Sequence, residues 1–157
     1  MRVELRAIGR LRSGPERLLV DNYLKRATQT GRGLGLGPFE EIEIDPRPLK
    51  SKSAETAALI DGLSGRDLMI ALDETGKTLS SIELSDLIAK ARDDGQRCAA
   101  VLIGGADGHD RTVLPQSARK ISFGRATWPH MLCRVMAAEQ LYRASSVLAG
   151  LPYHREG

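Results

Sequence analysis

The chain has 157 residues, 41% apolar and 27% charged, with a formal net charge of +3. That length and balance describe one globular domain large enough to bury a core without a disulfide or a metal, and they exclude a disordered tail. No apolar stretch approaches the ~20 residues that span a bilayer, and the N-terminus, with Arg2, Arg6, Arg10 and Arg12, lacks the apolar run of a signal peptide, so a cytoplasmic protein with Cys98 and Cys133 as free thiols is expected.

Strand and helix signals alternate along the chain. Val3 to Ile8 alternates apolar and polar residues and predicts a strand. Ser13-Gly14-Pro15-Glu16 predicts a helix start, with Ser13 as the cap and Pro15 where a missing N–H costs nothing. That helix is expected to carry Leu18, Leu19, Tyr23 and Leu24 on one face. Gly31, Gly33, Gly35 and Gly37 break the chain before a second strand, Phe39 to Ile44. Asp45-Pro46-Arg47-Pro48 is a loop, and Ser53 to Leu63 a second helix closed by Gly65.

Leu68 to Leu72 is a continuous apolar run, as a central parallel strand requires. Ser80 to Asp94 predicts an amphipathic helix carrying Ile82, Leu84, Leu87, Ile88 and Ala91 and stopped at Gly95. Cys98 to Ile103 is a second buried strand, residues 104–118 a glycine- and aspartate-rich loop, and Lys120 to Phe123 a weaker fifth strand. Trp128-Pro129 opens a long helix over His130 to Ala149, which Gly150 and Pro152 end. The alternation implies a single α/β domain over residues 1–157, a mostly parallel sheet with helices on both faces.

The net charge hides a split. Residues 1–32 hold eight Lys/Arg against three Asp/Glu, residues 33–110 eight against fifteen, and residues 111–157 seven against two. The basic ends either meet a polyanion or neutralise the acidic middle within the fold.

In open α/β sheets, ligands bind beyond the carboxyl ends of the strands. Three segments emerge there: Leu72 to Lys77, Ile103 to Gly108, and Phe123 to His130. Each follows an apolar run and holds glycine, which lets a ligand approach the backbone, so together they predict a pocket. No G-x-G-x-x-G follows the first strand, and neither a G-x-x-x-x-G-K-[ST] loop nor a G-x-S-x-G elbow occurs. His109, His130 and His154 are scattered and the two cysteines lack ligand spacing, so no metal is expected. Cys98 and Cys133 sit in apolar runs and read as small core residues.

The C-terminal helix places Met131, Val135, Ala138, Tyr142, Ser145 and Ala149 on one stripe and Leu141 and Leu148 on another. Such width predicts burial on several sides, in part at a subunit interface. Glu139 and Arg143 are spaced to pair, whereas Arg134, one turn inside the helix, can face the pocket or serve the scaffold. Past the helix, Tyr153, His154 and Arg155 either stack on a base and hold phosphate or lie solvated.

Four ordered motifs supply context: Leu102-Ile103-Gly104-Gly105-x-x-Gly108, then Ser122-Phe123 through Thr127-x-Pro129-His130, then Arg134-Val135 with Ala138-Glu139-Gln140-Leu141-Tyr142-Arg143-Ala144, then Pro152-Tyr153-His154-Arg155. The combination resembles the SPOUT-class methyltransferases and, more narrowly, the bacterial ribosomal RNA large subunit methyltransferase H family. The likeness runs end to end, including Ala7 to Leu11, and is weakest from Gly31 to Lys52.

The resemblance implies an α/β fold with a C-terminal deep trefoil knot, an exception to the rule against threaded loops. It implies a homodimer, S-adenosyl-L-methionine as donor, and methylation of N3 of a pseudouridine in the helix 69 loop of 23S rRNA within the assembled ribosome. Cofactor contacts are expected at Leu72, Gly104, Gly105, Phe123, Gly124, Arg125, Ala126, Thr127 and Trp128, the last replacing a smaller apolar residue. His154 is expected to place the substrate and move a proton, Tyr153 to orient the base, and Arg134 to hold developing negative charge. Arg10, Arg12, His130 and Arg155 are expected to contact RNA, with the tail acting across the dimer. Two other readings share these features: a knotted methyltransferase acting on tRNA ribose 2′-O, and a non-enzymatic RNA-binding ribosome factor.

Overall fold

Five strands line up in parallel in the order β2-β1-β4-β3-β5: β1 (Arg2–Ile8), β2 (Phe39–Ile44), β3 (Leu68–Thr78), β4 (Cys98–Ile103) and β5 (Arg119–Ser122). Because every strand runs the same way, all five carboxyl ends open on one side. This computed structural model describes residues 1–154. The helices are α1 (Pro15–Gly31), α2 (Lys52–Ile60), α3 (Ser81–Asp93) and α4 (His130–Leu148).

The central strands are apolar on both faces because helices cover both. Val3, Leu5, Ala7, Ile70, Val101 and Ile103 pack with α1, α3 and α4. Ile8, Met69, Ala71, Ala100 and Leu102 pack with Leu59 of α2 and with Leu114. On this second face β1 also carries the buried Glu4 and Arg6. Arg6 pairs with Glu4 at 2.7 Å and donates to the Leu59 and Asp61 carbonyls at 2.9 and 2.6 Å, capping the C-terminus of α2.

Some local expectations need correction. Ser13 does not cap α1; the cap is Gly14 and makes no side-chain hydrogen bond, while Pro15 opens the helix as expected. Leu18 and Leu19 are not in the core: Leu18 is 71% exposed, and α1 buries Val20 and Ala27 beside the expected Leu24. Met131 and Leu132 at the start of α4 are likewise exposed. The second helix starts and ends earlier than expected, with Ser51 as its cap. For α3 the boundary signal is a capping box: Ser80 Oγ accepts from the Glu83 N–H while Glu83 accepts from the Ser80 N–H.

Candidate functional site

The carboxyl ends of β3, β4 and β5 surround a cavity of about 530 Å³, inside the usual range for small-molecule sites. Its first wall is a break in β3. Ile121 aligns with Leu72 in one register and with Lys77 in the next, so residues 73–76 bulge out of the sheet. Gly76 is obligatory there, because a Cβ on it would lie 2.5 Å from the Ile121 carbonyl carbon. Asp73 fixes the bulge by accepting from the Thr75 N–H at 2.8 Å and the Thr75 hydroxyl at 2.6 Å. Burial pushes the Asp73 carboxyl up, but those bonds, with Arg111 and Lys120 nearby, outweigh it and hold the group below its ordinary value.

The second wall is the loop after β4. Gly105 and Gly108 pair across it, the Gly108 N–H donating to the Gly105 carbonyl at 3.0 Å. A Cβ on Gly104 would stand 2.8 Å from the Gly108 carbonyl oxygen, and the Glu55 carboxylate of α2 occupies the space a side chain on Gly105 would need. The buried Thr56 of α2 accepts from the Asp110 N–H at 2.9 Å, so α2 braces this loop from behind.

The third wall is the segment after β5. Ser122 donates to the Gly124 carbonyl at 2.7 Å, and Trp128 Nε1–H donates to the Phe123 carbonyl at 3.4 Å. His130 Nε2–H donates to the Gly104 carbonyl at 2.9 Å, tying the third wall to the second. Burial, with Arg134 nearby, lowers the His130 pKa despite that bond.

Leu72, Gly104, Gly105, Phe123, Gly124, Ala126, Thr127, Trp128 and His130 all line the cavity, as expected for the first eight. Arg125 is the exception among the expected cofactor residues: it is exposed and does not line the cavity. Lys52, His109 and Arg111 do line it and were not expected. His109 is 5% exposed, with the Leu72 and Leu102 carbonyls near its ring, yet neither ring nitrogen makes a well-formed hydrogen bond. Only its neighbourhood to Gly108 hinted at this. Lys52 carried no signal, because what brings it here is the docking of α2.

Of its two expected places, Arg134 takes the one in the scaffold. It is 1% exposed, absent from the cavity wall, and bonded to Glu41 at 3.1 Å, Glu43 at 2.8 Å and the Gly9 carbonyl at 3.0 Å. Arg17 joins the same two glutamates, and Glu43 also accepts from the Leu11 N–H at 2.7 Å. The guanidinium is therefore occupied in holding α4 to β2 and to the turn after β1, the turn that carries the exposed Arg10 and Arg12.

Tyr153 and His154 do not line the cavity of their own chain. The Tyr153 ring packs 4.6 Å from that of Tyr142, under the Arg143 guanidinium, and its hydroxyl donates to Glu139 at 3.0 Å. Burial and that carboxylate both push its pKa up, so the phenol stays protonated. His154 Nδ1 is buried without a partner among the described residues. Arg155 lies outside the described residues.

Burial pushes the Cys98 thiol up to about 11 and raises that of Cys133, so neither is a ready nucleophile. Among the described residues no three His, Cys, Asp or Glu side chains are grouped to hold a metal, and no helix is long and apolar enough to cross a membrane. Chemically, the cavity offers aromatic and aliphatic walls, the glycine backbone of the loop after β4, and the Asp73 carboxylate. That combination suits a flat heterocycle joined to a cationic group.

Comparison with known proteins agrees in kind. A family described as "Predicted SPOUT methyltransferase" matches residues 1–154. The chain is 58% identical over 156 residues to ribosomal RNA large subunit methyltransferase H of Maricaulis maris, covering 99% of this chain and 100% of that protein. It is 51% identical to the protein of the same name from Dinoroseobacter shibae and 50% identical to that from Ruegeria pomeroyi, each over 155 residues and 99% of both chains.

Proposed function

This chain belongs to the SPOUT methyltransferases, in the ribosomal RNA large subunit methyltransferase H family, and from that premise we propose that it methylates N3 of a pseudouridine in the helix 69 loop of 23S rRNA. The substrate is the assembled ribosome in the cytoplasm, the donor is S-adenosyl-L-methionine, and the working unit is a homodimer of single domains with a knotted C-terminal part. The observation that carries the reading is the joining of three glycine-bearing strand ends into one cavity, in a chain of methyltransferase kinship.

S-adenosyl-L-methionine supplies an electrophilic methyl group and a positive charge. Leu72, Phe123 and Trp128 would wall its adenine, and the backbone at Gly104 and Gly105 would read its polar edges. Asp73, whose pKa is held below its ordinary value, would complement its cationic centre. Alignment of donor and acceptor is the main demand of an in-line displacement. One proton must leave N3 of the base as the methyl arrives. His154 of a second copy is the candidate to orient the base and take that proton, since His154 does not line its own chain's cavity and its Nδ1 has no partner among the described residues. Tyr153, kept protonated, would donate a hydrogen bond or stack rather than act as a base. Arg10, Arg12 and Arg155 would meet the RNA backbone.

The test is mass spectrometry of rRNA from a strain lacking the enzyme, before and after incubation of its ribosomes with this protein and the donor. A new methyl on the helix 69 pseudouridine is the expected result. Methylation of tRNA instead, or calorimetry without donor binding, overturns the reading.

A further inference from the structure

Two cations at the cavity mouth have no role in the reading above. Lys52 opens α2 and Arg111 lies in the loop after β4; both line the cavity and both are exposed. Among the described residues, neither has a carboxylate within ion-pair distance. By contrast Arg17, Arg47 and Arg134, near the carboxyl ends of β1 and β2, are each paired.

Neither cation is simply loose on the surface. Arg111 Nη2–H donates to the Thr75 hydroxyl oxygen at 3.0 Å, and that hydroxyl donates on to Asp73 at 2.6 Å. One edge of the guanidinium is thereby anchored to the β3 bulge, and its other N–H groups remain for an anion. The carboxylate that feels Lys52, Asp110, is occupied with the Thr112 N–H and hydroxyl at 2.9 and 2.7 Å. Lys52 also stands at the N-terminus of α2, where the helix dipole adds positive potential. Glu74 and Asp107 share the rim, so the positive charge is confined to two points rather than spread.

We propose that Lys52 and Arg111 clamp backbone phosphates of the RNA on either flank of the target nucleotide. The proposal rests on the protein being an RNA methyltransferase. A base that enters a cavity must leave its stack, while its flanking phosphates stay at the mouth. Exposed cations at that mouth meet those phosphates. A carboxylate of the methyl donor has the same anionic chemistry, and the test separates the two.

Lys52→Gln, Arg111→Gln and the double variant are compared with wild type for ribosome binding across salt concentrations and for donor affinity by calorimetry. Each single change is expected to weaken ribosome binding several-fold and to reduce the salt slope by about 1, as for one lost phosphate contact. Lys52→Arg should restore the slope, and donor affinity should stay within about twofold throughout. Among the described residues the Lys52 side chain makes no hydrogen bond, so its variant tests the clamp even where Arg111→Gln disturbs the bulge. Weakened donor binding with an unchanged salt slope overturns the proposal in favour of the donor's carboxylate, and no change in either also overturns it. A wild-type protein that methylates no rRNA overturns the proposed function, whereas normal wild-type transfer with unchanged variant slopes overturns only the clamp.

Discussion

Gly104 shows what the site asks of a single residue. Its backbone passes so near Gly108 that even a methyl group would press on the Gly108 carbonyl at 2.8 Å. Gly104→Ala should therefore push the loop into the cavity without touching the core. Calorimetry with S-adenosyl-L-methionine should read a dissociation constant roughly tenfold higher, ~1.4 kcal/mol, with the fold intact by circular dichroism. Unchanged affinity would mean the loop does not form the donor's seat. His109 makes a second demand. Burial holds its pKa below the ordinary 6.5, against the pull of Asp73 and of the Leu72 and Leu102 carbonyls. His130 shifts the same way. Since the unfolded chain binds these protons more readily, stability is intact above about pH 6.5 and falls as pH drops through the histidine range, levelling off below the folded-state pKa. Melting should be lower at about pH 5.5 than at about pH 7.5, and His109→Leu should flatten part of that slope. An equally steep slope in the variant would place the buried proton site elsewhere.

At the scale of elements, Arg134 is where sequence alone leaves function and scaffold undivided. A lone arginine in an apolar helix beside a glycine loop has the same sequence signature whether it faces a ligand or a buried carboxylate pair. The deciding residues, Glu41 and Glu43, lie more than ninety positions away. Replacing it by methionine leaves two glutamates facing each other with only Arg17 between them. Breaking a buried pair in this way costs about 3–5 kcal/mol, here reduced because Glu43 is partly exposed. Arg134→Met should thus lower the denaturation midpoint markedly and loosen the Arg10–Arg12 turn, while donor affinity changes little. A fully stable but inactive variant would return Arg134 to the substrate. Elsewhere the elements were legible for a local reason. β4 came out with its observed ends because its apolar run is bounded by Arg97 and Gly104, and α3 to within one residue at each end because its apolar spacing stops at Gly95. The backbone of the site was legible too, since glycines after apolar strands mark carboxyl ends. Lys52 and Arg111 were not legible, because their place depends on how α2 and the loop after β4 dock.

For the whole molecule, the exposed apolar residues of α1 and α4 are informative. Leu18 and Leu19 on α1, and Met131 and Leu132 on α4, are exposed where a monomer would bury them. They lie at one end of the α1–α4 pair, because Arg17 and Arg134, their chain neighbours, share Glu41 and Glu43. An apolar patch that meets its own copy across a two-fold axis is the simplest way to cover it. Arg10 and Arg12 of the basic first segment are exposed on the turn that Arg134 holds, so a second copy on this patch would bring two such turns together. A second copy would also give a use to Tyr153, which packs on Tyr142, and to His154, neither of which lines the cavity of its own chain. Leu18→Glu tests both halves of this argument. Light scattering should find a monomer in place of a dimer, since a carboxylate buried against its twin is strongly disfavoured. Donor binding by calorimetry should survive, because none of the cavity wall changes, but methyl transfer to ribosomes should fall to background. A variant that remains dimeric would move the interface to another face, and a monomer that still methylates would mean that one chain holds a complete site.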